Sequence, residues 1–300
     1  MDTVDAPGGG ERRGGGQGGR PGGIGRLLAA AVLLAAVAAV LALSLAVVEA
    51  VTGRRAAAPP AGAAGSGTAG LGGAAQSGLG GDTRRVRARG AREIVIDFDS
   101  GRLALEPAAG DVAEATVERR WSERPPTFGQ RFEGGVLRIV SRCPEPGGQR
   151  AGTCRVRGRV SVPAGARVRA DLGAGDVTAE AVRGDLELVT TAGSIRVAGL
   201  AGPVRLRADA GSIAAVDLDA PSFQAHSGAG NVTASFLVPP SSVDATTGAG
   251  SVALAVPAAG YAVDATAGVG RVSVEVPDDP AAPRRVLART GVGEVRISPR

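Results

Sequence analysis

The chain has 300 residues, and its composition excludes several classes of chemistry. It contains no Lys, which excludes a Walker-type phosphate loop and Schiff-base catalysis, and one His, which excludes a His-rich metal site. The formal charge is +5, but residues 91–300 carry 24 Arg and 24 acidic residues, so we predict that the basic excess lies in the N-terminal tail and linker. Aromatic residues make up only 2 % of the chain, and without them to stack on bases no nucleic-acid partner is expected.

Residues 27–48 form an apolar stretch in which Ser44 is the only polar residue. The stretch is long enough to cross a bilayer as a helix, so the sequence predicts one transmembrane span. Arginines are more frequent before the span than directly after it, which predicts a cytoplasmic N-terminus and a single-pass membrane protein with residues 49–300 outside. Cleavage after Ala50 stays open as an alternative, and it too would export the C-terminal part.

The segments on either side of this span have a biased composition. Residues 1–26 are rich in Gly and Arg, and residues 49–90 are rich in Ala, Gly and Arg. Because such segments bury little apolar surface, we predict a disordered cytoplasmic tail and a disordered linker. At the end of the linker a basic cluster is either a solvated stretch or a surface that contacts anionic wall polymer or lipid headgroups, and its members are Arg84, Arg85, Arg87 and Arg89.

The two cysteines, Cys143 and Cys154, lie eleven positions apart in a stretch rich in Pro and Gly. Proline and glycine indicate a loop. If the protein is exported, an oxidising environment favours pairing, so we predict a disulfide between them.

An internal repeat is the most informative feature of the chain. It is anchored on a turn glycine that recurs at near-constant spacing, with the longest interval before the last copy: Gly175, Gly193, Gly211, Gly230, Gly250, Gly270 and Gly293. The positions seven and five before each glycine, and two and four after it, are apolar in all seven copies. The column two after the glycine, for example, contains Val177, Ile195, Ile213, Val232, Val252, Val272 and Val295.

Apolar residues at every second position on both sides of a turn predict two short strands per repeat, each with one buried face. Near-constant spacing lets successive repeats stack in register. We therefore predict an all-β fold in which about seven two-strand repeats over residues 167–300 form a β-solenoid. The alternative is an antiparallel β-sandwich of hairpins, because a short glycine corner can also close a hairpin.

Residues 91–166 continue the β pattern less regularly and include the only Trp. Candidate strands are 93–98, 103–106, 112–119, 136–141 and 155–162, and a further one at 167–172 opens the repeats. Because the end of a solenoid exposes its core and unpaired backbone groups, we predict that residues 91–166 form an N-terminal cap on the extracytoplasmic domain 91–300.

Residues 160–200 resemble a widespread bacterial family known as “putative adhesin” or toast-rack-like repeat domains, a domain of unknown function. The resemblance rests on the Val-Pro-x-Gly-x-x-Val opening at 162–168 and on the corners Thr-x-Gly-Ser-Ile and Gly-x-Gly-Asp-Val, and it extends over residues 91–300. It implies an exported β-solenoid, often tethered to the membrane. It brings no catalytic residues.

These observations favour a non-enzymatic envelope protein, an adhesin-like binding or scaffold module that contacts cell-envelope polymer or a membrane protein. The alternative is a domain that senses envelope stress and acts on a membrane partner. A polysaccharide-active enzyme is the least favoured hypothesis, because Asp217 and Asp219 form the only Asp-x-Asp pair of the predicted solenoid and neighbouring repeats supply no matching acid. The lone His226 lies outside the apolar columns, as expected of a solvated residue at a strand end. We assign no catalytic, metal or cofactor-binding residue and expect no cofactor.

Overall fold

A computed structural model describes residues 80–144 and 153–300. The predicted cytoplasmic tail, the predicted span at 27–48 and residues 49–79 of the predicted linker lie outside the described residues. Within the described ranges, no helix is long and apolar enough to cross a membrane.

The described part of the chain is built from β-strands joined in one hydrogen-bonded network. In chain order the strands are β1 (Gly80–Arg89), β2 (Glu93–Pro107), β3 (Val112–Trp121), β4 (Thr127–Glu133), β5 (Val136–Arg142), β6 (Cys154–Val162), β7 (Arg167–Glu180), β8 (Leu186–Ala192), β9 (Ile195–Ala198), β10 (Val204–Ala210), β11 (Ile213–Leu218), β12 (Ser222–Ala229), β13 (Val232–Phe236), β14 (Ser242–Ala249), β15 (Val252–Val256), β16 (Ala262–Val274) and β17 (Arg285–Pro299). The predicted all-β class is confirmed.

The repeats pair in parallel, and their apolar columns align as the sequence predicts. Val204 of β10 lies between Leu186 of β8 and Phe223 of β12, and all three side chains are buried. The strands after the corners pair in the same way, with β11 between β9 and β13. The columns therefore form the core. Strands of successive repeats pair in parallel, whereas the alternative sandwich of hairpins would require antiparallel pairing.

The last two repeats are stacked in the opposite order to the chain. β17 pairs in parallel with β14 and β15 on one side and with β16 on the other, so β16 is the outermost strand at this end. Two members of its apolar columns, Val272 and Val274, are therefore 45 % and 39 % exposed, contrary to the burial that the pattern predicts. The long interval from Gly270 to Gly293 contains the segment that returns the chain to the inner position.

The repeat also extends into the predicted cap, which the sequence analysis missed. β2 pairs along its length with β7, and Gly101 of β2 occupies the corner opposite Gly175. The four apolar columns are all occupied in β2, by Ile94, Ile96, Leu103 and Leu105. β5 and β6 pair with the two halves of β2 from the other side, so together they form one further repeat, in which Val156 stands opposite the corner residue Gly101.

Strand β1 corrects the predicted linker boundary, because residues 80–89 are part of the folded domain. β1 pairs antiparallel with β3 over its whole length, and Val86 and Ala88 are buried against the core. The linker was predicted from its Arg and Gly content, and that prediction did not take account of the alternation of Val86 and Ala88 with arginines. The prediction that the basic excess lies in the tail and linker is corrected in the same way, because four arginines that were assigned to the linker lie on β1.

Candidate binding surface

Arginines cover the outward face of the sheet at the N-terminal end of the stack. The face is formed by β1, β3, β6 and the C-terminal half of β2, whose paired residues place their side chains on the same side. We call this surface the basic face, and its arginines are Arg85, Arg87, Arg89, Arg102, Arg120, Arg155, Arg157 and Arg159. All eight are exposed. Three glutamates share these strands and this face: Glu106, Glu114 and Glu118.

The predicted basic cluster is divided by the pleat of β1. Arg85, Arg87 and Arg89 belong to the basic face, because they pair with Thr116, Glu114 and Val112 of β3. Arg84 lies on the other face of β1, and its Nε is 3.2 Å from the Asp82 carboxylate. The structure thus brings three of the four predicted contact residues together with five arginines that the sequence analysis did not assign to a site.

Some of these guanidinium groups are paired with acids and others are not. The distances are 3.0 Å for Arg87–Glu114, 3.3 Å for Arg159–Glu106, and 3.8 Å for both Arg89–Asp111 and Arg102–Asp176. Within the described residues, four arginines of the basic face form no hydrogen bond or ion pair through their side chains, namely Arg85, Arg120, Arg155 and Arg157. Their positive charge is available to an external anion.

A buried arginine holds β1 on the sheet. The Arg119 side chain is 5 % exposed, and its guanidinium binds both carboxylate oxygens of Asp82, with 2.8 Å between Nε and Oδ1. It also donates to the carbonyl of Pro126 at 2.6 Å and lies 5.3 Å from the centre of the Phe128 ring. A bidentate, largely desolvated pair of this kind fixes geometry strongly. It therefore orders the strand that carries Arg85 and Arg87.

The corner glycines have a structural role. All seven predicted turn glycines have φ between 142° and 153°, a region that residues with a Cβ rarely adopt. At Gly193 an added Cβ would lie 2.0 Å from the carbonyl oxygen of Gly175 in the adjacent repeat. The close approach of the corners therefore requires glycine for backbone packing.

Buried hydroxyl groups bind the carbonyl oxygens of these corners, and the sequence analysis did not single them out. The hydroxyl three positions before a corner glycine donates to the corner glycine of the adjacent repeat, at 2.7–3.0 Å. The donors are Thr190, Ser227, Thr247 and Thr290. A hydroxyl recurring in an otherwise apolar strand is the signal that could have identified them. Their role is to satisfy buried polar groups.

The cysteines form the predicted disulfide, with 5.9 Å between their Cα atoms. The bond joins the end of β5 to the start of β6 and closes the repeat that lacks a glycine corner. Next to it, Asp99 accepts a hydrogen bond from the backbone N–H of Cys143 at 2.8 Å, and Arg142 contacts both Asp97 and Asp99. This arrangement is consistent with a structural role for the cysteines.

Three carboxylates lie near each other on the outward face of the strand segments that precede the glycine corners. Asp171 of β7 pairs laterally with Asp97 of β2, and Asp209 is also near. Partial burial raises the pKa of Asp171, the charges of Asp97 and Asp209 raise it further, and Arg142 opposes the shift. Among the described residues, no group of three or more His, Cys, Asp or Glu side chains could hold a metal ion.

His226 lies on the outward face of β12, in a shallow groove of about 370 Å³. Its Nδ1 is 2.9 Å from the Thr246 hydroxyl oxygen, and no carboxylate contacts its ring within the described residues. The neighbouring Ser227 faces the opposite side of the strand and donates its hydroxyl to the Gly211 carbonyl at 2.9 Å. The serine and the histidine therefore cannot act together as nucleophile and base.

Comparisons with known proteins find similarity only among solved structures. No family model matches the chain, and no curated protein matches it. A “putative cell adhesion protein” from Clostridium sporogenes ATCC 15579 is 14 % identical, with 74 % of this chain and 100 % of that chain covered and a TM-score of 0.40. A “putative adhesin” from Bacteroides fragilis NCTC 9343 is also 14 % identical, with 73 % and 97 % covered and a TM-score of 0.42.

A further similar structure is a “putative lipid binding protein” from Parabacteroides distasonis ATCC 8503. It is 11 % identical, with 72 % of this chain and 96 % of that chain covered and a TM-score of 0.25. The names of the first two structures coincide with the family that the motifs of residues 160–200 resemble.

Proposed function

We propose that this protein is a non-enzymatic, adhesin-like binding module of the cell envelope. In this proposal the stacked repeats form a β-solenoid, residues 27–48 anchor it as a single span, and residues 49–79 tether the domain outside the membrane. The basic face supports the proposal, because it presents eight exposed arginines, four of them without an acidic partner among the described residues. Anionic envelope components would be attracted to such a surface.

The position of the basic face suits contact with the envelope. Among the described strands β1 comes first in the chain, so the proposed tether would join the domain at a strand of the basic face. The tether at 49–79 could reach up to roughly 100 Å when fully extended, which allows contact with polymer near the membrane. The arginines are also held on paired strands, which reduces the conformational freedom that binding must remove.

The geometry around the titratable groups does not favour an enzyme. His226 contacts a threonine, Ser227 faces the core, and the Asp97 and Asp99 carboxylates bind Arg142. None of these contacts joins a nucleophile to a base or places two free carboxyl groups across a cleft. We therefore propose binding without catalysis.

The experiment measures retention of the detergent-solubilised full chain on purified envelope particles from the source cells. The expected result is retention that weakens with rising salt and falls in an R85A/R87A/R89A variant, because exposed charges are screened. The H226A variant serves as the control and should be retained like the wild type. Absence of wild-type retention at low salt would contradict the proposal, and a membrane protein co-purifying instead would favour the sensing role.

A further inference from the structure

Two adjoining grooves lie where the basic face meets β7: β2, β6 and β7 line both of them, and one also reaches Thr116 and Glu118 of β3. Their volumes are about 370 and 380 Å³, and both are lined by Arg102, Arg157 and Asp176. Arg155 lines one groove and Arg159 the other, while small residues such as glycine and alanine form much of the remaining lining. We call the joined feature the arginine groove. We infer that it binds a polyol-phosphate or sugar-phosphate polymer of the envelope, an inference that rests on the proposed function.

Two lateral pairs of arginines lie in the groove or directly beside it. Arg102 of β2 lies opposite Arg157 of β6, and both line the groove. Arg155 of β6, which also lines it, lies opposite Arg120 of β3, which stands beside the groove. Neighbouring strands are about 4.8 Å apart, so the two guanidinium groups of each pair can converge on one anion. The pairs themselves are separated by two positions along β6, which is about 6.5 Å. The groove and its edge on β3 therefore offer two successive anion sites.

Paired arginines favour phosphate over carboxylate. A guanidinium forms two parallel hydrogen bonds with a planar carboxylate, which occupies both carboxylate oxygens in one plane. A tetrahedral phosphate can present oxygens to two guanidinium groups from different directions. Arg120, Arg155 and Arg157 have no hydrogen bond or ion pair through their side chains within the described residues, although Glu118 lies opposite Arg157 in the strand register. Three of the four guanidinium groups are therefore free for such a ligand.

Other phosphate-bearing partners suit the groove less well. None of the residues that line it is aromatic, whereas surfaces that bind single-stranded nucleic acid without sequence preference stack bases on aromatic side chains. The large exposed hydrophobic side chains of the described residues all lie outside β1, β2, β3 and β6, so nothing on this face would insert into a bilayer. A linear phosphate polymer without bases or acyl chains fits both observations.

The test uses the full chain in non-ionic detergent and a fluorescent synthetic poly(glycerol phosphate). Anisotropy titrations compare it with poly-L-glutamate of equal charge, a single-stranded oligonucleotide and vesicles containing an anionic phospholipid. We expect poly(glycerol phosphate) to bind about tenfold more tightly than polyglutamate. The double variant R155A/R157A should weaken this binding about tenfold and reduce the slope of log affinity against log salt by about two.

Two variants separate the groove from general charge. R138A/R205A removes the same number of charges from exposed arginines that are also unpaired among the described residues. These two arginines lie on β5 and β10, outside the basic face, so this variant should bind like the wild type. R155K/R157K keeps the charge and should lose most of the affinity, because lysine cannot form the bidentate contact.

Equal binding by R155K/R157K and wild type, equal losses in R155A/R157A and R138A/R205A, or tighter binding of the oligonucleotide or the vesicles would overturn the inference. Failure to bind the phosphate polymer by a chain that still binds envelope particles would overturn this inference alone. Failure to bind both would also overturn the proposed function.

Discussion

Single residues in this protein are constrained by their neighbours in the adjacent repeats more than by their neighbours in the chain. The Thr247 hydroxyl, for instance, donates to the carbonyl oxygen of Gly230, which belongs to the preceding repeat. A buried carbonyl without a partner costs free energy, so such a hydroxyl can recur from repeat to repeat without any role in binding. The exposed side chains between these positions are free of that constraint.

Asp171 is a residue whose protonation should affect stability. Burial raises the pKa of Asp171 and the nearby charges of Asp97 and Asp209 add to the shift, so the folded chain holds this proton more tightly than the unfolded chain. The charged form therefore destabilises the fold, and the penalty grows as pH rises from the unfolded pKa through the folded pKa.

We expect D171N to melt at a higher temperature than the wild type near pH 7, with a gain that shrinks toward about pH 4. Thermal denaturation of the full chain at both pH values measures this. Asp185 provides the control, because its carboxylate is 2.8 Å from the Arg167 guanidinium and D185N should bring no gain. A gain for D171N that is unchanged at low pH would show that the charge of Asp171 is not its source.

At the scale of elements, each strand gains its stability from the strands on either side. Strands inside the stack have two partners, as β12 has β10 and β14, whereas among the described strands β16 pairs with β17 alone. Consequently the same apolar position is buried inside the stack but exposed on its outermost strand. The same valine column is buried at Val252 and exposed at Val272.

Strand β13 provides a test of the column assignment. Val232 is fully buried between Ile213 and Val252, whereas the adjacent Thr233 is exposed. V232D would place an unpaired carboxylate in the core and should cost several kcal/mol of unfolding free energy. T233D should change it by about 0.5 kcal/mol or less, as a surface substitution.

Chemical denaturation of the two variants compares these free energies directly. The wild-type chain gives the reference, and both substitutions introduce the same side chain one position apart, so they differ only in the face that receives it. Similar losses in both would show that β13 does not bury the face carrying Val232.

At the scale of the whole molecule, the basic face and the predicted membrane span lie toward the same end of the sequence. The predicted span ends at Val48, and β1 begins at Gly80. If the positive-inside prediction holds, the strand that carries Arg85, Arg87 and Arg89 lies outside the membrane and is the first described element after the predicted span. The proposed function depends on that topology, because a cytoplasmic domain would not meet envelope polymer.

A topology experiment tests the orientation. A cysteine-free reporter that is active only outside the cytoplasm should be active when fused after Arg300 and inactive when fused before Met1. Protease added to intact protoplasts should remove the domain and leave residues 1–26 protected. Protection of the C-terminal domain would contradict the predicted orientation.

Much of the fold follows from the sequence, because its rules are local and periodic. The period-two apolar positions around Gly175 to Gly293 predict the strands, the buried columns and the lateral register. Proximity of Cys143 and Cys154 within a loop likewise predicts their disulfide. These features depend on side-chain alternation and on backbone sterics, both of which can be read along the chain.

The tertiary structure decided which distant segments become neighbours. It placed β2 beside β7, although four other strands lie between them in the chain. It also placed β17 between β16 and the pair β14 and β15. Both placements are possible because a parallel strand can pair with any matching strand irrespective of chain order. It also brought Arg85, Arg120 and Arg157 onto one face. Their assembly depends on the pairing of β1, β3 and β6. Residues 80–89 form a strand only with β3 as a partner, so their composition alone suggested a disordered linker.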